Sequence, residues 1–226
     1  IAVSHARGHI PLLVGGTMLY YKALLEGLSA LPAADADVRA QIAQQAQQSG
    51  WEALHAQLAV IDPVSAQRIA PQDAQRIARA LELHTLTGLA PSMLYAQHQA
   101  QAYSGKVLRI ALQVNDRVAL HTRITQRFTQ MMAEGFLAEV QGLRMRGDLH
   151  VELPSIRAVG YRQLWAHCAG ELTLEEAIEQ GIIATRQLAK RQMTWMRRMG
   201  ADITWHCEAL PAMDEMVASI KRTISA

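Results

Sequence analysis

The chain is poor in cysteine. Its two, Cys168 and Cys207, form no CxxC pattern. That argues against a disulfide framework or a cysteine-built zinc site and fits a reducing cytoplasm. Aromatic residues make up only 5%, while Ala, Leu and Gln are abundant, which favours helix. No apolar run reaches the roughly 18 residues that cross a bilayer, so no membrane partner is expected. Strong net charge is also missing: 22 Lys and Arg against 20 Asp and Glu leave +2. That balance alone does not argue for nucleic acid. No Ser-His-Asp or Cys-His arrangement can be assembled from spacing. His5 and His9 stand four apart, but no acid or cysteine accompanies them, which argues against a metal there.

What is present is apolar and helical. The 226 residues are half hydrophobic, enough for one large domain or two small ones. "IPLLV" (Ile10 to Val14) is a continuous apolar run closed by Gly15-Gly16. It reads as a strand buried on both faces of a parallel sheet. A helix follows from Met18 to Glu26, with Gly27 past its end. Gly-rich strand-to-helix turns often cradle phosphate, yet this one lacks the lysine of a P-loop. The chain opens on Ile1, and "IAVSHARGHIP" reads as a helix end and the turn before a strand. Upstream residues are therefore expected.

"SALPAADADV" is a polar break with Asp35 or Asp37 as N-cap. From Val38 to Ala102 everything reads as helix, punctuated by Gly50, Asp62-Pro63, Asp73 and Gly88. "KVLRIALQV" (Lys106 to Val114) gives a second buried strand. Helices follow over Arg117–Glu134, Leu137–Arg146, Pro154–His167 and Leu174–Met199. The last opens on a capping box, Thr173 to Glu176. "ADITWHC" (Ala201 to Cys207) has the pattern of a late strand. The fold class is α/β: residues 1–32 are part of the core, 33–105 a helical insertion, and 106–226 the remainder of the core.

Charge is uneven along this frame. Thr185 to Gly200 holds Arg186, Lys190, Arg191, Arg197 and Arg198 and no acid. At about 100° per residue, Arg186, Lys190, Thr194 and Arg197 share one stripe, with Arg191, Arg198 and Gln187 beside it. Leu188, Trp195, Met196 and Met199 lie opposite. The stretch reads either as a solvated face or as a rail for a phosphate backbone. Arg76 and Arg79, with Gln75 adjacent, suit phosphates and base edges, or salt bridges to Glu82. Arg123 and Arg127 stand four apart on a helix and can clamp a diphosphate. Gly160 sits in a helical stretch between Arg157 and Arg162, where it costs about 1 kcal/mol relative to alanine. Close approach of another chain or a helix–helix contact would justify it.

Together these stretches resemble one family, the bacterial-type tRNA dimethylallyltransferases, or tRNA isopentenyltransferases. The matching pieces are "IPLLVGGTMLYYKALLEGL", "DPVSAQRIAPQDAQRIARALEL", "RITQRFTQMMAEGFLAEVQGL", "LPSIRAVGYRQLW" and "ATRQLAKRQMTWMRR". They occur in the family's order across nearly the whole chain.

The resemblance implies a P-loop-kinase-like parallel sheet, incomplete here, with a swinging helical insertion. It implies transfer of a dimethylallyl group from dimethylallyl diphosphate to the exocyclic amine of the adenosine just 3′ of the anticodon. The tRNAs concerned read codons starting with U. Magnesium would assist the leaving diphosphate, the tRNA anticodon stem-loop would be the partner, and a cytoplasmic monomer is expected. By motif position, Thr17 would touch the adenosine, with Arg127 near the diphosphate and Arg123 a weaker candidate. The tRNA contacts would be Thr17, Arg39, the run Gln75, Arg76, Ile77, Ala78 and Arg79, and the run Arg157, Ala158, Val159, Gly160, Tyr161 and Arg162. Arg186, Lys190, Arg191, Gln192, Met193, Thr194, Trp195, Met196 and Arg197 complete them.

The sequence departs from the family in two motifs. The GPTASGKT-type P-loop is absent, and so is the DS-x-x-x-Y segment whose aspartate serves as general base. A protein beginning at Ile1 is expected to bind prenyl diphosphate poorly and to be inactive. Magnesium ligands are expected mainly in that upstream segment. A small-molecule P-loop kinase and a non-catalytic tRNA-binding fragment are the competing readings.

Overall fold

Local caps fix most of the helices in the computed structural model, which describes residues 1–27, 31–97 and 102–225. The start of the polar break at 29–30 and the end of the long helical reading at 98–101 lie outside the described residues. The chain divides into two compact units, Leu19–Gly105 and Ile1–Met18 with Lys106–Ala226.

Every described secondary-structure element of the first unit is a helix. α2 (Met18–Glu26) leads into it, after the short α1 (Ala2–Ala6) of the other unit. α3 (Ala36–Ile61) is capped by Asp35, whose carboxylate accepts the amides of Asp37 and Val38. It breaks at Gly50, at φ 80 and ψ 161, as the sequence anticipates. Asp62 caps α4 (Pro63–Arg68), with proline in the first turn. Asp73 caps α5 (Ala74–Thr87), which stops at left-handed Gly88. α6 (Pro91–Gln97) closes the unit. Ile42, Leu54, Leu58, Ile77 and Leu81 fill the core between α3 and α5.

Asp62 does more than cap. Buried at 2% exposure, it accepts the Ser65 amide and hydroxyl and the Ser92 amide and hydroxyl. It therefore ties α4 to α6. Burial opposes its ionisation, but these four bonds overcome that and hold its carboxyl below the usual range.

The second unit carries the sheet. β1 (Ile110–Gln113) and β2 (Ile203–His206) pair in parallel, Ile110 opposite Ile203 and Gln113 opposite His206. Between them run α7 (Arg117–Ala133), α8 (Phe136–Met145), α9 (Tyr161–Cys168) and α10 (Leu174–Met199). α11 (Met213–Ser225) ends the described chain. Phe128, Phe136, Val140, Ile156, Leu164, Trp165 and Ala177 make the core. Gly181 of α10 lets Phe128 of α7 close in, since a Cβ there would overlap its ring.

Three expectations change. Residues 10–14 are not a strand: they run as extended coil, with Ile10, Leu12 and Val14 at 76%, 81% and 84% exposure. An apolar run becomes a strand only when paired and covered, and the described sheet has two strands. The fold is therefore mostly helical with a small parallel sheet. The second strand shrinks from Lys106–Val114 to Ile110–Gln113. The helix expected over Pro154–His167 begins only at Tyr161, after a run of turns. Gly160 explains this: at φ 92 and ψ −57 it cannot continue a helix, and it serves as the N-cap of α9.

Gly160 also meets Phe136. A Cβ would stand 2.9 Å from that ring. The helix–helix contact is thus observed, and Gly160→Ala should destabilise the protein by about 2–4 kcal/mol, from backbone strain plus overpacking. Urea titration of the variant against the parent measures this. A change under about 0.5 kcal/mol would contradict the packing account.

Candidate active site and nucleic-acid face

Thr17 is exposed at the end of the Gly15-Gly16-Thr17 turn, directly before α2. The turn docks on α10: the Gln192 side-chain amide donates to the Gly16 carbonyl at 3.0 Å.

Arg123 and Arg127 are exposed on α7. Phe128, next to Arg127, is buried in the core and fixes the helix beneath it. Arg186 of α10 reaches onto the same helix, donating from Nη2 to Thr125 Oγ1 at 2.9 Å. Its Nε is buried without a hydrogen-bond partner. None of these three arginines is in an ion pair among the described residues. Arg123 and Arg127 thus share one exposed face of α7, while Arg186 bonds to Thr125 on the other side of that helix.

α10 places its acids and bases at opposite ends. Thr173 and Glu176 form the expected capping box, and Glu175 joins Glu176 in the first turn. Arg197 and Arg198 occupy the last turn, where they suit the helix dipole. Lys190, Arg191, Arg197 and Arg198 are exposed, and none has an ion pair among the described residues. Gln192, Met193, Thr194 and Met196 are half-buried, and Trp195 is 37% exposed.

The stretch before α9 is mixed. Arg157, Ala158 and Arg162 are exposed, Val159 and Tyr161 half-buried, and Gly160 buried. The Tyr161 hydroxyl donates to Glu139 Oε1 at 2.6 Å. That carboxylate, aided by burial, pushes the tyrosine pKa up and keeps it a neutral donor. Its ring stands edge-on to Phe136.

The helical unit resolves the open question about its arginines. Glu82 is fully buried. Its Oε1 accepts Arg39 Nε and the Asp35 amide, each at 2.9 Å. Its Oε2 accepts Arg79 Nη1 at 2.6 Å and Arg39 Nη2 at 3.3 Å. Arg79 also donates to the Pro32 carbonyl. Arg79 is therefore engaged in holding the entry segment to α5, while Arg39 remains half exposed. Gln75 and Arg76 are exposed, Arg76 beside Asp73 at 3.4 Å. Ala78 is half-buried. The Ile77 side chain packs in the core and presents no surface.

The IPP transferase family model matches residues 1–199, most of the chain. The chain belongs to the IPP transferase family. It is 53% identical over 217 residues to a tRNA dimethylallyltransferase of Cupriavidus taiwanensis, covering 94% of this chain and 67% of that protein. The Cupriavidus necator tRNA dimethylallyltransferase is 52% identical over 221 residues, covering 96% and 69%. Among solved structures, the full-length tRNA isopentenylpyrophosphate transferase of Bacillus halodurans superposes with a TM-score of 0.59 at 33% identity. The match covers 99% of this chain and 68% of that one. A eukaryotic dimethylallyltransferase crystallised while acting on tRNA shares the fold at a TM-score of 0.72 and 23% identity. This IPP transferase chain thus spans about two thirds of the length of its curated relatives.

Two features of the family member escaped sequence reasoning. The Gln192–Gly16 bond joins residues 176 positions apart, and no local signal announces it. The other is the convergence on Glu82: its salt bridge to Arg79 was one of the two readings, but Arg39 and the Asp35 amide on the same carboxylate had no local signal. Among the described residues, no group of three or more His, Cys, Asp or Glu is placed to hold a metal. No described helix is long and apolar enough to cross a membrane.

Proposed function

We propose that this protein transfers a dimethylallyl group from dimethylallyl diphosphate to the exocyclic amine of the adenosine 3′ of a tRNA anticodon. In the reaction a bond forms between the amine nitrogen and the allylic carbon. The carbon–oxygen bond to diphosphate breaks, and the amine gives up a proton. The observation that carries this reading is the unneutralised basic face of α10, whose helix also holds the Gly15-Gly16-Thr17 turn. A phosphate backbone on that face brings an RNA substrate to the turn. Curated relatives at 52% and 53% identity, named as tRNA dimethylallyltransferases, support it.

Thr17 orients the acceptor amine, for a threonine hydroxyl is too weak a base to take its proton. The amine proton would pass to the aspartate that the family's DS-x-x-x-Y motif supplies, a motif not found within residues 1–226. Arg127, with Arg123, stabilises the charge on departing diphosphate. The target base stacks in the anticodon loop and must be extruded to react. The basic face supplies the grip on stem and loop that offsets that cost. Residues 33–105 act as the insertion that approaches the anticodon arm, presenting Arg39, Gln75 and Arg76. A small-molecule kinase has no use for so extended a cationic helix.

The test is incubation of the full-length protein with unmodified tRNA and dimethylallyl diphosphate. Mass gain on the adenosine is expected, and its absence overturns the proposal. Binding of tRNA with steep salt dependence but no response to the diphosphate marks a non-catalytic binder. Thr17→Ala should slow transfer about tenfold with little loss of tRNA affinity. Equal slowing and weakening would make Thr17 a structural residue.

A further inference from the structure

Gly16 lies outside the set of described glycines with positive φ, so an alanine could adopt its backbone. A Cβ at Gly16 would stand 2.5 Å from Gln192 Nε2 and would push that amide aside. The same nitrogen donates to the Gly16 carbonyl at 3.0 Å. Gln192 is half-buried beside exposed Arg191. While Lys190, Arg191, Arg197 and Arg198 face solvent, this amide turns onto the backbone that leads into Thr17.

We propose that Gln192 is a positioning residue: it pins the Gly16 carbonyl and thereby sets where the Thr17 hydroxyl stands. The inference rests on the reading of Thr17 as the group that orients the acceptor amine. Two consecutive glycines make the softest stretch of backbone available. Pinning one carbonyl removes freedom from the peptide that carries the reactive hydroxyl. Transfer reactions are sensitive to misplacements of about 1 Å, so this restraint acts on turnover rather than on RNA affinity. One helix then serves two ends: its outer face holds phosphates, and its Gln192 holds the turn.

The experiment measures kcat, KM for tRNA and tRNA Kd on the intact protein with unmodified tRNA and dimethylallyl diphosphate. Gln192→Met keeps the length and removes the donor; Gln192→Glu keeps the shape and cannot donate to a carbonyl. Each should lower kcat about five- to tenfold, with tRNA Kd and its salt slope unchanged within about twofold. Gly16→Ala breaks the same bond from the other side. The Gly16→Ala/Gln192→Met double variant should be no slower than about the single variants, because the two changes remove one interaction. Weaker tRNA binding with unchanged kcat would make Gln192 an RNA contact and overturn the inference. Full multiplication of the two losses would overturn it as well. The underlying reading fails separately, if the parent protein transfers no prenyl group or if Thr17→Ala is as fast as the parent.

Discussion

Arg127→Ala should lower kcat about a hundredfold while changing tRNA affinity less than about threefold. The argument begins with place. Arg127 sits on α7 next to Phe128, whose side chain is held in the core at 4% exposure. Its backbone is thereby fixed while its guanidinium reaches solvent. Arg123 lies one turn before it, and Arg186 lies against the helix through Thr125. No described carboxylate pairs with any of the three. Arg123 and Arg127 share one exposed face and neither is in an ion pair among the described residues, so that face can receive an anion, and a departing diphosphate is such an anion. The diphosphate is already an anion when bound, and more charge builds on it as the carbon–oxygen bond breaks, so the loss appears in kcat as well as in diphosphate affinity and not in tRNA affinity. Arg127→Lys should recover only part of the rate, because an ammonium lacks the planar fork that binds two oxygens. Arg123→Ala should cost less than Arg127→Ala. Single-turnover kinetics with saturating tRNA separate these cases. A loss confined to tRNA affinity would move Arg127 from the leaving group to the RNA.

Glu82→Ala should destabilise the helical unit by about 3 kcal/mol. The carboxylate is fully buried and accepts from Arg39, Arg79 and the Asp35 amide. Truncation leaves the partly buried Arg79 guanidinium and an amide at the start of α3 without their acceptor. Hydrogen exchange of the intact protein over residues 36–87 should show the loss most clearly, and Glu82→Gln should fall between parent and alanine variant. Unchanged protection in Glu82→Ala would refute the account.

The same carboxylate predicts a pH dependence. Burial opposes its ionisation, but the bonds from Arg79, Arg39 and Asp35 win and hold its pKa below the ordinary value. A depressed carboxylate adds stability that is complete above its unfolded pKa of about 4.3 and is lost as pH falls through the lower folded value. Asp62 acts in the same direction. The urea midpoint should therefore drop as pH falls below about 4, and less steeply in Glu82→Gln.

Much of the helical frame was legible because its signals are local. Asp35, Asp62 and Asp73 cap the helices they precede, Gly50 and Gly88 interrupt or end helices, and Thr173 with Glu176 opens α10. Such signals act within a few residues, and a single sequence carries them whole. The basic stretch at Arg186 to Arg198 was equally plain, since helical spacing alone sorts its charge onto a face.

Tertiary structure decided what depends on distant partners. "IPLLV" has the composition of a buried strand, yet composition cannot supply the neighbours that make one, and the run stays exposed coil. Gly160 looked like a weak point inside a helix and is instead a positive-φ cap against the Phe136 ring. Arg79 was open between phosphate contact and a salt bridge to Glu82, and Gln192 was an RNA contact by resemblance alone. The fold turns the first onto Glu82 and Pro32 and the second onto Gly16. A polar side chain bonds to whatever the fold brings within about 3 Å. The sequence by itself determined the helices that carry their own caps and the charged stretch of α10. Only the fold decided which of those charged and polar groups remain free to meet a substrate.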